Sequence, residues 1–318
     1  MSGSTAGRAV ATHPAPPPGD SAALRPADPP GAGRAPSAGE SQVALIWRSL
    51  RRDRAAMAGA TLLLLLVGAV LAAPLLTPYS PTALDPAQRL QGPSLAHPLG
   101  TDQVGRDVLA RLLYGGRISL GSAIPAVAGL VLLGLCLGAL AGYAGGIVDG
   151  LISVVVDVVL ALPGLVLSLA IAGTLGPSLQ NTLLAVLLVG WAGHARLFRG
   201  AVLAAREWEY VLAARAAGAG NTRIVLRHIL PNIIGPIVVV ATLDIGQVIL
   251  TISSLSFLGL GVQPPTPEWG VMLADARTSI DHAPQLIILP AVCILLVVLA
   301  SNLVGDGLRD ALDPRTRR

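Results

Sequence analysis

The feature that most constrains this chain is a series of six apolar runs, each long enough to cross a lipid bilayer as a helix. They cover residues 56–76, 118–144, 151–172, 181–198, 233–255 and 286–304. Because an α-helix rises about 1.5 Å per residue, runs of about 17 to 27 residues suffice for a hydrocarbon core of roughly 30 Å. The pattern predicts an all-α polytopic membrane protein with six transmembrane helices. A composition of 53% hydrophobic and 13% charged residues argues against a soluble globular domain.

Proline and glycine inside these runs predict details of helix geometry. Four prolines fall within the runs: Pro125, Pro163, Pro236 and Pro290. Membrane helices tolerate proline because neighbouring helices satisfy the freed backbone groups, so we expect kinks and not breaks. Gly134, Gly138 and Gly142 repeat every four residues and lie on one helical face. Such a face predicts close approach of a second helix backbone.

Arginine placement predicts the orientation in the membrane. With the N-terminus inside, the cytoplasmic flanks hold Arg48, Arg51, Arg52, Arg54, Arg196, Arg199, Arg206, Arg215, Arg223, Arg227, Arg309, Arg315, Arg317 and Arg318. The external flanks then hold only Arg89, Arg106, Arg111, Arg117 and Arg277. Since basic residues favour the cytoplasmic side, both termini are expected in the cytoplasm.

The runs and their flanks divide the chain into predicted segments. These are a disordered cytoplasmic tail at 1–40, a basic flank with the N-terminal transmembrane helix at 41–81, an external loop with an amphipathic helix at 82–117, a core of five transmembrane helices at 118–304 with a cytoplasmic loop at 199–232, and a cytoplasmic tail at 305–318. The first forty residues are rich in Pro, Gly, Ala and Ser, and they cannot bury enough surface to offset their ordering entropy.

Composition also limits the chemistry. All 22 basic residues are Arg, and a phosphate-binding Walker A loop requires a Lys ammonium. Any ATP hydrolysis is therefore expected on another chain. The formal net charge of +4 comes from Arg residues beside apolar runs and not from a basic stripe with aromatics, so membrane lipid is a better partner than nucleic acid.

The external loop carries Leu109, Leu112 and Leu113 among Arg106, Asp107, Arg111 and Arg117. This pattern predicts an interfacial amphipathic helix with its charged groups in the lipid headgroup layer. A docking surface for a partner and a purely structural helix on the bilayer both remain open.

The cytoplasmic loop is expected to contain a short helix from about Glu209 that ends near Gly218 or Gly220. Ala213, Ala214, Ala217 and Gly218 form a face poor in side chains that could lie in a groove of another protein. Pro231 suits the first turn of the next membrane helix. The alternative is a solvated linker.

Two acids lie inside apolar runs, Asp157 and Asp244. Ionisable groups in a membrane tend to face a cavity or a partner, so either acid could line a pathway for a cation or a peptide ammonium. Packing contacts through hydrogen bonds are the alternative. His194 and His228 are expected near the cytoplasmic headgroups, without the clustered partners that a metal site needs.

Several blocks together resemble a known family. Ala213-Ala214, Gly218 and His228-Ile229-Leu230-Pro231 resemble the EAA loop of importer permeases, with Leu212 in place of the motif's Glu. The resemblance continues at 97–120, 255–270 and 302–314. The chain is similar to the dipeptide, oligopeptide and nickel permeases of ATP-binding-cassette (ABC) importers, and 48–81 resembles the extra helix of the C-type subunit. Val154 departs from an Arg that members often carry.

The resemblance implies a type I-like permease fold in the cytoplasmic (inner) membrane and a transport subunit that is not itself an enzyme. It implies a homologous permease, two ATPase subunits that bind ATP and magnesium, and an external substrate-binding protein. The residues expected to couple to the ATPase are Glu209, Tyr210, Ala213, Ala214, Arg215, Ala217, Gly218, Ala219, Ile229, Leu230 and Pro231. Contact with the binding protein is expected at Asp102, Arg106 and Asp107. An ATP-independent channel or carrier and a membrane-embedded enzyme are the alternatives.

Overall fold

A computed structural model describes residues 42–312, so the predicted tail at 1–40 lies outside the described residues. The α-helices are, in chain order, α1 (Gln42–Arg52), α2 (Arg54–Leu71), α3 (Ala73–Leu76), α4 (Val108–Ala144), α5 (Gly146–Leu160), α6 (Gly164–Leu175), α7 (Leu179–Ala205), α8 (Glu209–Ala216), α9 (Asn221–Ile224), α10 (Leu230–Phe257), α11 (Trp269–Ala276) and α12 (Gln285–Leu312). Helices α9 and α10 are joined by a π-helical turn at Val225–Ile229.

Five helical stretches are long and apolar enough to cross a membrane: Arg54–Leu71, Val108–Ala144, Leu179–Ala205, Asn221–Phe257 and Gln285–Leu312. Helices α5 and α6 provide a sixth crossing if the bent pair is one span. The predicted all-α polytopic class is therefore confirmed.

Pro163 breaks the third predicted span, and the expectation of a mere kink was wrong at this position. Helix α5 ends at Leu160, α6 begins at Gly164, and their axes differ by 88°. Proline lacks a backbone N–H, and it also disfavours helical geometry at the preceding residue. Pro125, Pro236 and Pro290 remain inside continuous helices, as predicted.

The glycine face of α4 packs directly on α7, as the four-residue spacing predicted. A Cβ atom at Gly138 would lie 2.6 Å from the carbonyl oxygen of Ala195, and one at Gly142 would lie 2.8 Å from that of Arg199. No larger residue fits at these distances without moving a backbone. The missing side chains on this face therefore let α4 and α7 approach closely.

Two predicted boundaries differ from the observed helices. Helix α4 begins at Val108, so the expected interfacial helix of the 82–117 loop is instead the first turns of a 37-residue helix. Asp107 accepts a hydrogen bond from the Ala110 N–H at 2.7 Å and so defines the start of this helix. At the other end, α12 continues beyond residue 304 to Leu312, so the beginning of the predicted C-terminal tail is helical.

The core has one large apolar cluster between the long helices and a second at the end of α7. The large cluster is formed by α2, α4, α7, α10, α11 and α12, with Leu130, Ile249, Trp269 and Val297 among its buried residues. The second joins the ends of α7 and α10 to the segment between them. This second cluster positions the segment that the sequence singles out for function.

Candidate functional site

The segment between α7 and α10, residues 206–229, is here called the connector. Its helix α8 begins at Glu209 and ends at Ala216, which confirms the predicted helix. Gly218 has a φ of 81°, the Gly218 N–H donates to the Arg215 oxygen at 3.0 Å, and the Ala219 N–H donates to the Ala214 oxygen at 3.0 Å. This is a Schellman motif, in which a left-handed glycine ends the helix and satisfies its last carbonyls.

A single buried side chain anchors α8 to the membrane helices. Val211 is fully buried and packs in the cluster that contains Phe198 and Val202 of α7, Ile229 of the π turn and Ile233 of α10. Because this cluster includes both long helices, α8 packs against α7 and α10 together.

Polar contacts hold the connector in place around this anchor. The Tyr210 hydroxyl donates to the His228 carbonyl at 3.4 Å. The Tyr143 hydroxyl of α4 donates to the side-chain oxygen of Asn221 at 2.9 Å. Desolvation raises the pKa of the Tyr210 phenol above its ordinary value, and the phenol is a protonated hydrogen-bond donor at neutral pH in either case. Arg206 donates to the Gly142 carbonyl at 3.1 Å, which ties the start of the connector to α4.

The eleven predicted coupling residues differ in exposure and form an exposed, a half-buried and a buried group. The exposed residues are Glu209, Tyr210, Ala213, Arg215, Ala217, Gly218 and Pro231. Ala214, Ala219 and Leu230 are half-buried, whereas Ile229 is fully buried within the chain. Ile229 therefore packs between the connector and the membrane helices and is not part of the connector surface. Pro231 lies in the first turn of α10, as predicted.

The predicted binding-protein contacts lie in a buried cluster of opposite charges, here called the charge cluster (Asp102, Arg106, Arg111 and Asp275). Arg106 Nε is 2.6 Å from Asp102 Oδ2, and Arg106 and Arg111 each reach Asp275 Oδ2 through Nη2, at 3.2 and 3.1 Å. Asp102 and Arg106 are each 5% exposed, and Arg111 is 2% exposed. The expectation of charged groups in the headgroup layer was wrong for Arg106, Asp107 and Arg111, whose side chains are buried within the chain.

Asp107 lies in a neighbouring network. Its Oδ2 is 2.9 Å from His97 Nδ1, and His97 Nε2 is 2.8 Å from the Gln88 side-chain oxygen. With Asp102, Arg106 and Asp107 all buried, these side chains hold the long loop against α4 and α11. The surface of this end is formed by other residues, such as Ser94 and Leu95.

Sequence reasoning missed a fully buried carboxylate, Glu268. The Ser119 hydroxyl of α4 donates to Glu268 Oε1 at 2.9 Å, and the Val271 N–H donates to Oε2 at 3.1 Å, which starts α11. The adjacent Trp269 donates from its indole nitrogen to the Leu112 carbonyl at 2.9 Å. The signal was available in the sequence, because Glu268 stands three residues before Val271 at the start of an apolar stretch, as helix-capping acids do.

Three further ion pairs cross between membrane helices. His194 of α7 pairs with Asp244 of α10, and its other ring nitrogen lies 3.0 Å from the Gly190 carbonyl. The expectation that His194 lies among lipid headgroups was wrong, since its side chain is only 11% exposed. Asp244 has the hydrogen-bonded packing role that was the alternative to a pathway role.

The other two pairs join α7 to α5. Arg199 holds Asp149 through two hydrogen bonds, the longer of them 2.6 Å. Arg196 holds Asp157 through one. Among the described residues, no three His, Cys, Asp or Glu side chains lie together as a metal site would require.

Comparison with known proteins identifies the family. Residues 134–318 match the sequence model of the family described as binding-protein-dependent transport system inner membrane component. Residues 41–93 match the N-terminal TM domain of oligopeptide transport permease C. The second match covers α1 and α2, and the first begins inside α4, so together they include the connector and nearly all of the membrane helices.

Relatives are similar over most of their length. The chain is 44% identical to the dipeptide transport system permease protein DppC of Alkalihalophilus pseudofirmus, over 85% of this chain and 89% of that protein. It is 44% identical to the di/tripeptide transport system permease protein DppC of Pseudomonas aeruginosa, over 85% and 91%. It is also 44% identical to the glutathione transport system permease protein GsiD of Pectobacterium atrosepticum, over 85% and 90%. The chain therefore belongs to the family of binding-protein-dependent transport system inner membrane components and is a multi-pass protein of the inner membrane.

Proposed function

We propose that this chain is a permease subunit of an ABC importer that carries di- or oligopeptides into the cell. The observation that carries the proposal is the connector, whose exposed, small-residue helix stands on a side chain buried between two membrane helices. The printed names of the relatives, which transport dipeptides, tripeptides or glutathione, support peptide as the substrate class.

The coupling mechanism follows from the anchor. A partner that binds α8 and shifts it also displaces Val211. Because Val211 packs in one cluster with residues of α7 and α10, the ends of these two helices move with it. Packed side chains transmit such a displacement as a rigid-body shift between two states. The small face formed by Ala213, Ala217 and Gly218 lets a partner surface approach the helix backbone closely.

The partners in this proposal are a second, homologous permease, two ATPase subunits and an external substrate-binding protein. ATP and magnesium bind to the ATPase subunits, since this chain has no Lys for a phosphate loop. Catalysis of ATP hydrolysis thus belongs to the partners, and this chain converts their closure into helix movement.

The test is reconstitution of the chain in lipid nanodiscs with its homologous permease, the ATPase subunits and the binding protein. ATP hydrolysis should rise when the binding protein carries a dipeptide and should not rise with the empty binding protein. Nickel is the second substrate to be offered. ATP-independent uptake by this chain alone would contradict the proposal and favour a carrier, and stimulation by nickel alone would exclude peptide as the substrate.

Orientation is part of the same proposal and is tested by labelling. In a background of Cys136→Ala and Cys293→Ala, Ser94→Cys should react with an impermeant thiol reagent added outside intact cells. Thr222→Cys in the connector should react only after the cells are opened, because the Arg-rich side is expected to face the cytoplasm. Both positions are exposed in the structure, so burial does not confound the comparison. The reverse labelling pattern would place both termini outside.

A further inference from the structure

A cavity of about 420 Å³ lies between α5 and α7. Its lining includes Ser153 and Asp157 of α5 and Arg196 and Arg199 of α7. Small-molecule sites are usually about 300 to 1,000 Å³, so the cavity has room for a ligand the size of a dipeptide. Building on the importer function proposed above, we propose that Asp157 and Arg196 bind the charged ends of a zwitterionic peptide as it passes through the membrane.

The two ion pairs beside the cavity differ in how tightly they are held. Asp149 accepts two hydrogen bonds from Arg199 and one from the Ser153 hydroxyl at 3.3 Å, so both of its carboxylate oxygens already accept hydrogen bonds within the chain. Asp157 is joined to Arg196 by one hydrogen bond between Oδ1 and Nη2. The Asp149–Arg199 pair therefore fixes α5 against α7, and the Asp157–Arg196 pair can open without releasing the helix.

Exposure separates the pairs further. The side chains of Asp157 and Arg196 are 67% and 56% exposed on this chain, whereas those of Asp149 and Arg199 are 19% and 34% exposed. Around Asp157, the α5 surface is apolar, with Val154 and Val158 also exposed. A charged group that faces lipid costs roughly 2.5 to 3.5 kcal/mol on insertion scales at the centre of a membrane helix, and less towards the cytoplasmic end where Arg196 is expected. An exposed charge pair on such a face is explained if the face borders an aqueous pathway and not lipid.

Stability does not account for the pair, because exposed ion pairs contribute little to folding, typically less than about 1 kcal/mol. Without a ligand, each charge of the pair compensates the other, so the site is neutral. A zwitterionic peptide offers an ammonium to Asp157 and a carboxylate to Arg196. One internal pair is then replaced by two pairs with the ligand, and the site stays neutral throughout.

The same reasoning excludes the other intramembrane acid from this role. Asp244 is 22% exposed and is held by His194 in the packed contact between α7 and α10. A Cβ atom at Gly134 of α4 would clash with the His194 Cβ, so α4 also packs closely against α7 at this residue. The charged ends of a peptide would therefore pair with side chains in the α5–α7 cavity and not at Asp244.

The first experiment removes both charges at once with Asp157→Asn/Arg196→Gln, which leaves no unpaired charge behind. In the reconstituted complex, the number of dipeptide molecules taken up per ATP hydrolysed should fall at least about tenfold, as expected for the loss of charge-assisted hydrogen bonds. The matched control is Asp281→Asn/Arg277→Gln, an equally conservative change at exposed positions outside α5 and α7, which should keep the wild-type ratio. A purely structural role would lower uptake and hydrolysis together and leave the ratio unchanged, and that result would overturn the proposal.

The second experiment locates the side chain directly and does not depend on coupling. In the Cys136→Ala/Cys293→Ala background, Asp157→Cys in the assembled complex should react with a water-soluble methanethiosulfonate at least about tenfold faster than Val155→Cys. Val155 is exposed on the opposite side of α5 and serves as the lipid-facing control. Dipeptide-loaded binding protein with ATP should slow the reaction at Asp157→Cys.

Equal, slow reaction at both cysteines would show that this face lies against lipid and would overturn the proposal. Reaction unaffected by the loaded binding protein would assign the pair to the headgroup layer and would overturn it as well. If the wild-type complex still shows dipeptide-stimulated ATP hydrolysis, either result removes only this site and leaves the importer function standing. If charge removal prevents assembly, the labelling result decides.

Discussion

The charge cluster and the connector differ in whether their residues are buried and paired within the chain or exposed at its surface. In the charge cluster, four ionised side chains from the 102–111 stretch and α11 neutralise one another, and three of them are almost wholly buried. In the connector, α8 is held by one buried side chain, and most of its remaining surface is exposed. The charges of the first region are paired with one another within this chain. The other has an ordered backbone with a surface that nothing in residues 42–312 covers.

The contrast separates two uses of residues that look functional in a sequence. Charged residues in a loop can serve the fold, because a buried pair whose partner is removed costs far more than an exposed one. Alanine and glycine in a polar loop can serve binding, because the absence of side chains lets a partner backbone come close. Three changes test the contrast on the scale of folding free energy, in order of decreasing effect.

Asp102→Ala should have the largest effect. The substitution leaves two buried guanidinium groups, those of Arg106 and Arg111, with Asp275 as their one remaining carboxylate partner. Loss of one partner in a buried ion pair typically lowers the free energy of unfolding by about 3 to 5 kcal/mol. We expect a lower Tm and a lower yield of purified complex. Asp281→Ala, at an exposed position of the same end, should change the unfolding free energy by less than about 0.5 kcal/mol. Equal Tm values for the two variants would mean that the charge cluster does not stabilise the fold.

Val211→Ala should have an intermediate effect. Removing two buried methyl groups costs roughly 2 kcal/mol, and the loss falls on the contact between α8, α7 and α10. Hydrogen exchange should therefore accelerate at 209–219 with little change in the long helices. Leu212→Ala, whose side chain is 44% exposed, is the matched control and should leave exchange unchanged. Unchanged exchange in Val211→Ala would show that α8 is anchored by other contacts.

Gly218→Val should have the smallest effect on folding and the largest on coupling. No atom lies within 4 Å of a Cβ placed at Gly218, so a Cβ meets no clash there and the substitution adds mainly the strain of a positive φ, about 1 kcal/mol. Peptide-dependent ATP hydrolysis should be lost if a partner packs on this position. Gly218→Asn keeps the left-handed backbone and should retain the fold with a milder loss. Normal coupling in Gly218→Val would contradict the role of this surface.

The connector was predicted well because its signals are local. A helix start near Glu209, a left-handed glycine at Gly218 and a proline in the first turn of α10 each depend on a few neighbouring residues. The burial of Ile229 and Val211 was not predictable in the same way. Both side chains are covered by residues from α7 and α10, which come together only in the folded bundle.

The charged residues were predicted poorly because their partners are distant in the sequence. Arg106 and Arg111 pair with Asp275, Ser119 binds Glu268, and His194 binds Asp244. Residue type alone placed Arg106, Arg111 and His194 near headgroups, and it left Asp244 between a pathway and a packing role. Which partner each one meets depends on the packing of α4, α7, α10 and α11, and no local pattern encodes it.

By itself, the sequence determined the helical membrane class and the glycine face that joins α4 to α7. These follow from hydropathy, helix period and side-chain volume, which act within one segment at a time. Only the tertiary structure decided that Pro163 divides a span by 88°, that the charge cluster is buried and that Asp157 meets Arg196 across a cavity. The physical reason is that burial and charge pairing belong to pairs of segments, and their energies exist only once the segments are packed.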